Sequence, residues 1–269
     1  MYEAGLRYDW PGTPDLPPER LASSAGWVRH ILGTDPRGGF VAVRGDTVVG
    51  FSLASRRGDL WFLSSLMVDT SMQGQGVGRR LLEAALSTYE GCRGGYLLGS
   101  KDPKALSRYG RAGFDLQPGH AARGDLDRSV LPVITGVRVG SYDDDRELVD
   151  EAMRTARGEP LGPDLAFLAD RGGPLWVADG PTGRGFAVGR DKGVQLLAAS
   201  TPAAAQALLW TCLAEATSPA VELNCLTSAQ QWAVQVALAA RLSLGFGPDL
   251  CTRGDIGPLW PYLPDGALG

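Results

Sequence analysis

The sequence predicts an α/β protein made of two similar halves. Apolar runs of strand length, such as Leu60 to Val68 and Val194 to Ala199, alternate with stretches whose apolar residues suit one face of a helix, such as Arg79 to Glu90 and Pro202 to Ala216. Each central run is preceded by a hairpin signal, Arg44-Gly45-Asp46-Thr47 in the first half and Asp179-Gly180-Pro181-Thr182-Gly183 in the second. The same order of elements thus occurs twice, which reads as an internal duplication.

In order, the chain opens with a Pro- and Gly-rich segment to Pro18, expected to be irregular, so that a first strand is either absent, shortened to Leu6–Tyr8 or replaced from the second half. A helix is expected from Glu19 or Leu21 to Leu32, stopped by Gly33-Thr34-Asp35-Pro36. Strands Phe40–Val43 and Val48–Ser55 flank the first hairpin, and Arg56-Arg57-Gly58-Asp59 turns the chain into the central strand Leu60–Val68. After the Arg79–Glu90 helix come the short strand Tyr96–Leu98 and a helix started by Pro103 and ending near Gly113. Polar, proline-containing sequence at Asp127 to Thr135 separates the halves, giving domains at 1–128 and 135–269. In the second half, strands Leu175–Ala178, Gly185–Val188, Val194–Ala199 and Val221–Leu226 are expected with helices Pro202–Ala216 and Ala229–Leu242. Leu244-Gly245-Phe246 then matches the earlier ending Ala112-Gly113-Phe114, which sets Arg241 opposite Tyr109.

With 269 residues, 44% apolar and 21% charged, the chain has material for a sizeable core. A formal net charge of -4 argues against a general nucleic-acid or anionic-membrane surface. Cys92, Cys212, Cys225 and Cys251 form no CxxC or Cys/His cluster, and His30 and His120 add no metal-like spacing, so no metal site is expected. A reduced, cytoplasmic setting is the simplest expectation. No apolar run approaches a membrane span, and Met1 to Trp10 lacks a signal-peptide pattern.

The chemistry points to Gln73-Gly74-Gln75-Gly76-Val77-Gly78, between the central strand and its helix. Glycines admit positive φ and close approach of a ligand, while a helix start presents unpaired N–H groups and the positive end of its dipole. Strand, glycine turn and helix N-terminus together make a cradle for phosphate. No Gly-Lys-Ser/Thr closes the loop, so it is not a P-loop, and a dinucleotide GxGxxG fails at Arg79.

The loop resembles the Q/R-x-x-G-x-G/A motif of the GNAT N-acetyltransferases, read as Gln73, Gly76 and Gly78. That family also carries N/D-x-x-A-x-x-x-Y-x-x-x-G-F on a later short helix, matched by Asp102, Ala105, Tyr109, Gly113 and Phe114. The resemblance implies two GNAT-like domains, each a mixed, mostly antiparallel twisted sheet flanked by helices. It implies acetyl-CoA, or another short acyl-CoA, as co-substrate. Gln73, Gly74, Gln75, Gly76, Val77, Gly78 and Arg79 would hold the pyrophosphate, mainly by main-chain N–H, with Arg79 or Arg80 adding charge or simply facing solvent. Backbone groups of Leu66, Met67 and Val68 would pair with the pantetheine arm. Asp102 and Ala105 would lie against the cofactor.

Tyr109 is the expected catalytic residue, a phenol able to protonate the departing thiolate, or else an aromatic packing the short helix on the sheet. No acidic residue lies within Leu60–Val68 to act as base; Asp59 and Asp69 bracket it as turn residues, and Ser64 and Ser65 are polar positions that would line a water path. The second half lacks both the glycine loop, running Ser200-Thr201-Pro202 into its helix, and the tyrosine, so no cofactor site is expected there. The apolar run Gly254 to Gly269 is expected to dock, capping the acceptor cleft of the first domain. The implied activity is direct acyl transfer to a small-molecule or protein amine in a ternary complex, by a monomer or homodimer. The alternative is a non-catalytic acyl-CoA-binding sensor or interaction protein.

Overall fold

The computed structural model describes residues 18–269, with side chains from residue 25 onward. The segment before Pro18, including the strand considered at Leu6–Tyr8, lies outside the described residues. Packing divides the chain into two compact units: the residues up to Leu97 together with Ala267–Gly269, and Leu98–Gly266.

The first unit contains α1 (Pro18–Thr34), β1 (Gly39–Arg44), β2 (Thr47–Arg57), β3 (Leu60–Val68), α2 (Val77–Leu86) and β4 (Gly94–Gly99) as far as Leu97. Its strands lie in the order β1-β2-β3-β4, the first three antiparallel and β3 parallel to β4. A parallel pair needs a crossover, and α2 supplies it. Its buried residues Val77, Leu81, Leu82 and Ala85 face the sheet, with Val77 and Leu81 clustered against Val49 and Met72. The buried Ser52 hydroxyl donates to the Leu81 carbonyl at 3.0 Å, and Trp61 Nε1 donates to Thr88 Oγ1 at 2.9 Å, so both side chains mark the α2 face. On the other face the Arg57 guanidinium, 7% exposed, pairs with Asp35 at 2.6 Å, just beyond the end of α1.

The helix expected at Arg79–Glu90 starts and stops earlier. Gly76 in the left-handed region (φ 79°) lets the helix begin at Val77. At the far end the Ser87 and Thr88 hydroxyls bond the Ala84 and Ala85 carbonyls at 2.7 Å each, and the chain tightens into the 3-10 turn Ser87–Tyr89.

The second unit holds α3 (Pro103–Arg111), β5 (Asp115–Gln117), β6 (His120–Asp125), β7 (Val137–Val139), α4 (Arg146–Arg157), α5 (Pro163–Asp170) and β8 (Leu175–Gly180). It continues with β9 (Gly183–Arg190), β10 (Gly193–Ala199), α6 (Pro202–Ala214), β11 (Ala220–Leu226), α7 (Gln231–Ala239), β12 (Ser243–Phe246), β13 (Asp249–Gly254) and β14 (Tyr262–Leu263). An antiparallel sheet runs β14-β10-β9-β8-β7, and a smaller one runs β11-β6-β12. Helix α6 is apolar all round and buries Ala204, Ala205, Leu208, Leu209 and Leu213 in the core of this unit. Helices α4 and α5 were not expected from the sequence; α4 buries Leu148, Val149, Ala152, Met153 and Ala156 along one face.

The halves of the sequence exchange strands. Strand β6, from the first half, lies between β11 and β12 of the second, while β13 lies between the end of β4 and β5 of the first. Where the two strands pass, backbones touch: a Cβ on Gly119 would sit 1.9 Å from the Pro248 carbonyl oxygen, and one on Gly247 2.3 Å from that of His120. The Gly119 amide also donates to the buried Asp249 carboxylate at 3.0 Å.

The structure corrects the expected register of the duplication. Helix α3 ends with Gly113 at φ 84° and the Phe114 amide bonded to the Tyr109 carbonyl at 3.1 Å. Helix α7 ends in the same way, with Arg241 at φ 59° and the Leu242 amide bonded to the Ala237 carbonyl at 2.9 Å. Arg241 therefore stands where Gly113 stands, Ala237 opposite Tyr109, and Leu244-Gly245-Phe246 lies in β12. Glycine is the usual residue at such a helix end, and an arginine there hid the match.

A fragment of residues 1–134 retains β6 and β5 without β11, β12 and β13. It is expected to aggregate or stay unfolded, as read by circular dichroism and gel filtration, because unpaired strand edges invite association.

Candidate functional site

The site in the first unit begins with an irregularity in β3. Its register with β2 passes from Ala54↔Leu63 to Leu53↔Ser65, leaving Ser64 as the extra residue of a bulge. The register with β4 runs from Leu60↔Gly94 to Leu63↔Leu97, whereas that with β2 continues to Gly50↔Val68. From Ser64 onward β3 thus keeps β2 on one edge and leaves the β4 ladder on the other. Leu66, Met67 and Val68, expected to present backbone groups to a ligand, lie in this stretch and are each half-buried.

The chain then turns through Asp69, whose carboxylate accepts from the Ser71 amide at 2.9 Å and the Ser71 hydroxyl at 2.6 Å. These bonds, the hydroxyl first, hold the Asp69 carboxyl below its ordinary range, which suits a turn cap and weakens it as a base. Asp59 is likewise engaged, by Arg56 at 3.2 Å. Gln73 Nε2 reaches the Val68 carbonyl at 3.4 Å and Gln75 Nε2 the Ser71 carbonyl at 3.2 Å, tying the loop back to its own start.

Gly74 and Gly76 both have positive φ, 77° and 79°, and a Cβ at either would meet open space. Conformation, not crowding, calls for glycine there, and the space beside the loop is available to a ligand. Gly76 caps α2 with no side-chain hydrogen bond, so the first-turn amides have no side chain to bond. Val77 and Gly78 are buried, while Arg79 is exposed and 3.9 Å from Glu83, a weak surface pair that leaves it able to swing toward an anion.

The other expected residues lie in the second unit. Asp102 is the N-cap of α3, accepting from the Lys104 amide at 3.0 Å, and Pro103 occupies the first turn. Ala105 and Tyr109, one helical turn apart, form the buried face of α3. Tyr109 is 6% exposed, its ring edge-on to Phe114 at 6.4 Å between centroids. A Cβ on Gly99 would lie 3.5 Å from the Tyr109 ring, so the strand passes close beneath it.

The second half repeats the frame and closes both features. The Thr201 side chain caps α6, accepting from the Ala204 amide at 3.2 Å. Strand β14 takes the edge of β10, pairing Leu197↔Leu263 and Ala198↔Tyr262. The start of α6 thus carries a side-chain cap and the end of β10 is paired on that edge, unlike the start of α2 and the end of β3.

Cys212, Cys225 and Cys251 are buried and Cys92 is half-buried, all as free thiols. Burial pushes the Cys225 and Cys251 thiols up to about 12 and raises Cys92 and Cys212 as well. Among the described residues no group of three or more His, Cys, Asp or Glu could hold a metal ion, and no helix is long and apolar enough to cross a membrane.

Replacing Gly76 by Ala should cost roughly 1–2 kcal/mol in thermal or denaturant unfolding, the penalty for a side chain in the left-handed region, with Gly76→Asn milder.

Residues 6–114 match the family model described as the acetyltransferase (GNAT) family. A search of curated protein sequences finds no match. Among solved structures, a proposed acetyltransferase from Pyrococcus horikoshii superposes with a TM-score of 0.77 at 18% identity, covering 97% of this chain and 88% of that one. A GCN5-related N-acetyltransferase from Sphaerobacter thermophilus gives 0.60 at 16% identity, over 95% and 91%. A tandem GNAT protein from the clavulanic acid biosynthesis pathway gives 0.55 at 16% identity, over 95% and 93%. At such identities the likeness of the whole chain is one of fold. The bulged β3, the glycine turn and the helix start fall inside the segment that matches the GNAT family model, and the chain as a whole has the fold of tandem GNAT proteins.

Proposed function

We propose that the chain is an N-acyltransferase that moves an acetyl or other short acyl group from acyl-CoA directly to an amine. The binding domain would be residues 1–128, and residues 135–269 a GNAT-like domain without a CoA site. The observation that carries this reading is the side-chain-free start of α2 behind Gly74 and Gly76, placed directly after the stretch of β3 that has left its β4 ladder. The pyrophosphate would rest on the N–H groups of Gln73 to Arg79, and the amides of the pantetheine arm on the backbone of Leu66, Met67 and Val68.

The amine nitrogen would attack the thioester carbonyl carbon; a new C–N bond forms as the C–S bond breaks. The sulfur leaves as thiolate and takes the phenolic proton of Tyr109, the excess proton on nitrogen passes to water, and the phenolate regains a proton from solvent. Such a phenol is protonated at neutral pH, which suits it to give rather than take a proton. Most of the acceleration would then come from orienting two bound reactants. The raised thiols of the buried cysteines support direct transfer over a covalent acyl-enzyme.

A non-catalytic acyl-CoA sensor is the second reading, favoured by the absence of any acidic residue from β3 and by the engagement of Asp59 and Asp69 in turns. The two separate on Tyr109→Phe, assayed by thiol release from acetyl-CoA over a panel of amines. The transferase reading predicts turnover in the parent and a loss of about 10²-fold or more in kcat with cofactor affinity little changed. Absence of thiol release from the parent with every amine, beside intact acyl-CoA binding, would favour the sensor.

A further inference from the structure

Ala267, Leu268 and Gly269 belong to the first unit, although Ala267 stands 203 positions from its partner Ser64. The Ser64 hydroxyl donates to the Ala267 carbonyl at 2.6 Å, so the tail is held by the bulge residue itself. Leu268 is 2% exposed. Gly269 has φ 81°, and a Cβ there would lie 2.6 Å from Tyr96 Oη and 2.9 Å from Phe62 Cδ2. Position 269 therefore admits glycine alone without displacement.

Phe62 and Tyr96 are register partners on β3 and β4, both buried, with ring centroids 4.9 Å apart. Phe62 alternates with Trp61, whose indole marks the α2 face, so Phe62, Tyr96 and the tail occupy the opposite face. Phe62 and Tyr96 form the rung before the last of the β3–β4 ladder, Leu63↔Leu97, and Ser64, which holds the tail, is one residue past it. With the cofactor's phosphates on the N-terminus of α2, an amine would approach the thioester from the face that the tail covers.

We infer that residues 267–269 form the acceptor-side wall of the fork between β3 and β4 and restrict the enzyme to compact amines, excluding lysine side chains on a polypeptide. This rests on the acyltransferase reading above. A peptide acceptor needs an open groove for the residues flanking its lysine, and here that face is filled by Leu268, Gly269 and the Phe62–Tyr96 pair. A compact amine needs only the width of its own chain.

The test is an acceptor profile, as kcat/KM, for short alkylamines, a polyamine and a lysine-containing peptide. It compares the parent with Gly269→Val, Leu268→Ala and Ser64→Ala, beside the Kd for acetyl-CoA of each. Gly269→Val has no room for its side chain and should expel the tail. Leu268→Ala keeps the tail's backbone and guards against a folding defect in the valine variant. The parent is expected to use compact amines and ignore the peptide. Gly269→Val and Leu268→Ala should raise use of the bulkier acceptors relative to the short amine by roughly tenfold, and Ser64→Ala, which removes one hydrogen bond, by about fivefold. The acetyl-CoA Kd should hold. An active parent whose acceptor order is unmoved in folded tail variants, or a parent that prefers the peptide, overturns this inference and leaves the transferase reading intact. A parent from which none of the amines releases thiol contradicts that reading, and the tail's role with it.

Discussion

Everything distinctive in the first unit depends on one event in the sheet: the insertion of Ser64 as an extra residue in β3. Up to Leu63 the strand is held on both edges, antiparallel to β2 and parallel to β4; after Ser64 only the β2 ladder continues. Backbone amides and carbonyls seek partners, so a strand that parts from its neighbour creates a place for a ligand's polar groups. The same bulge sets the Ser64 hydroxyl toward Ala267 and brings the strand's end to the turn that opens α2. The proposed cofactor frame and acceptor wall both rest on it.

The second half shows the same frame with a capped helix start and a paired strand edge. Both halves have a hairpin, a central strand and a helix after it. In one, the helix starts behind glycines in left-handed conformations with no capping side chain. In the other, Thr201 bonds the Ala204 amide and β14 occupies the edge of β10. The two halves thus differ at the start of the helix after the central strand and at the edge of that strand. The exchanged strands β6 and β13 add a reason for the second half to persist, since each completes a sheet of the other half's strands.

Local pattern was legible where local physics decides. Leu60–Val68 reads as a strand end to end from its apolar and branched composition. Pro103 marks the first turn of α3, and the glycines announce the turn before α2; the N-cap role of Asp102 is seen only in the structure. What could not be read is non-local. The exchange of β6 and β13 depends on which edges meet, and nothing in either strand encodes its neighbour. The end of α7 misled because Arg241 adopts a conformation that Gly113 adopts in the first half, so matching the glycines set the halves out of register. The docking of the C-terminal run was signalled by its apolar content, but its seat at Ser64 was not; two serines in an otherwise apolar strand were the one hint.

The central claim is that a single cradle, behind Gly76, holds acyl-CoA. Calorimetric titration of the protein with acetyl-CoA, beside a Gly76→Glu variant that sets a carboxylate where the phosphates would lie, tests it most directly. The account predicts one site per chain in the parent and its loss in the variant. Two sites per chain, or no binding of acetyl-, propionyl- or longer acyl-CoA, would contradict it.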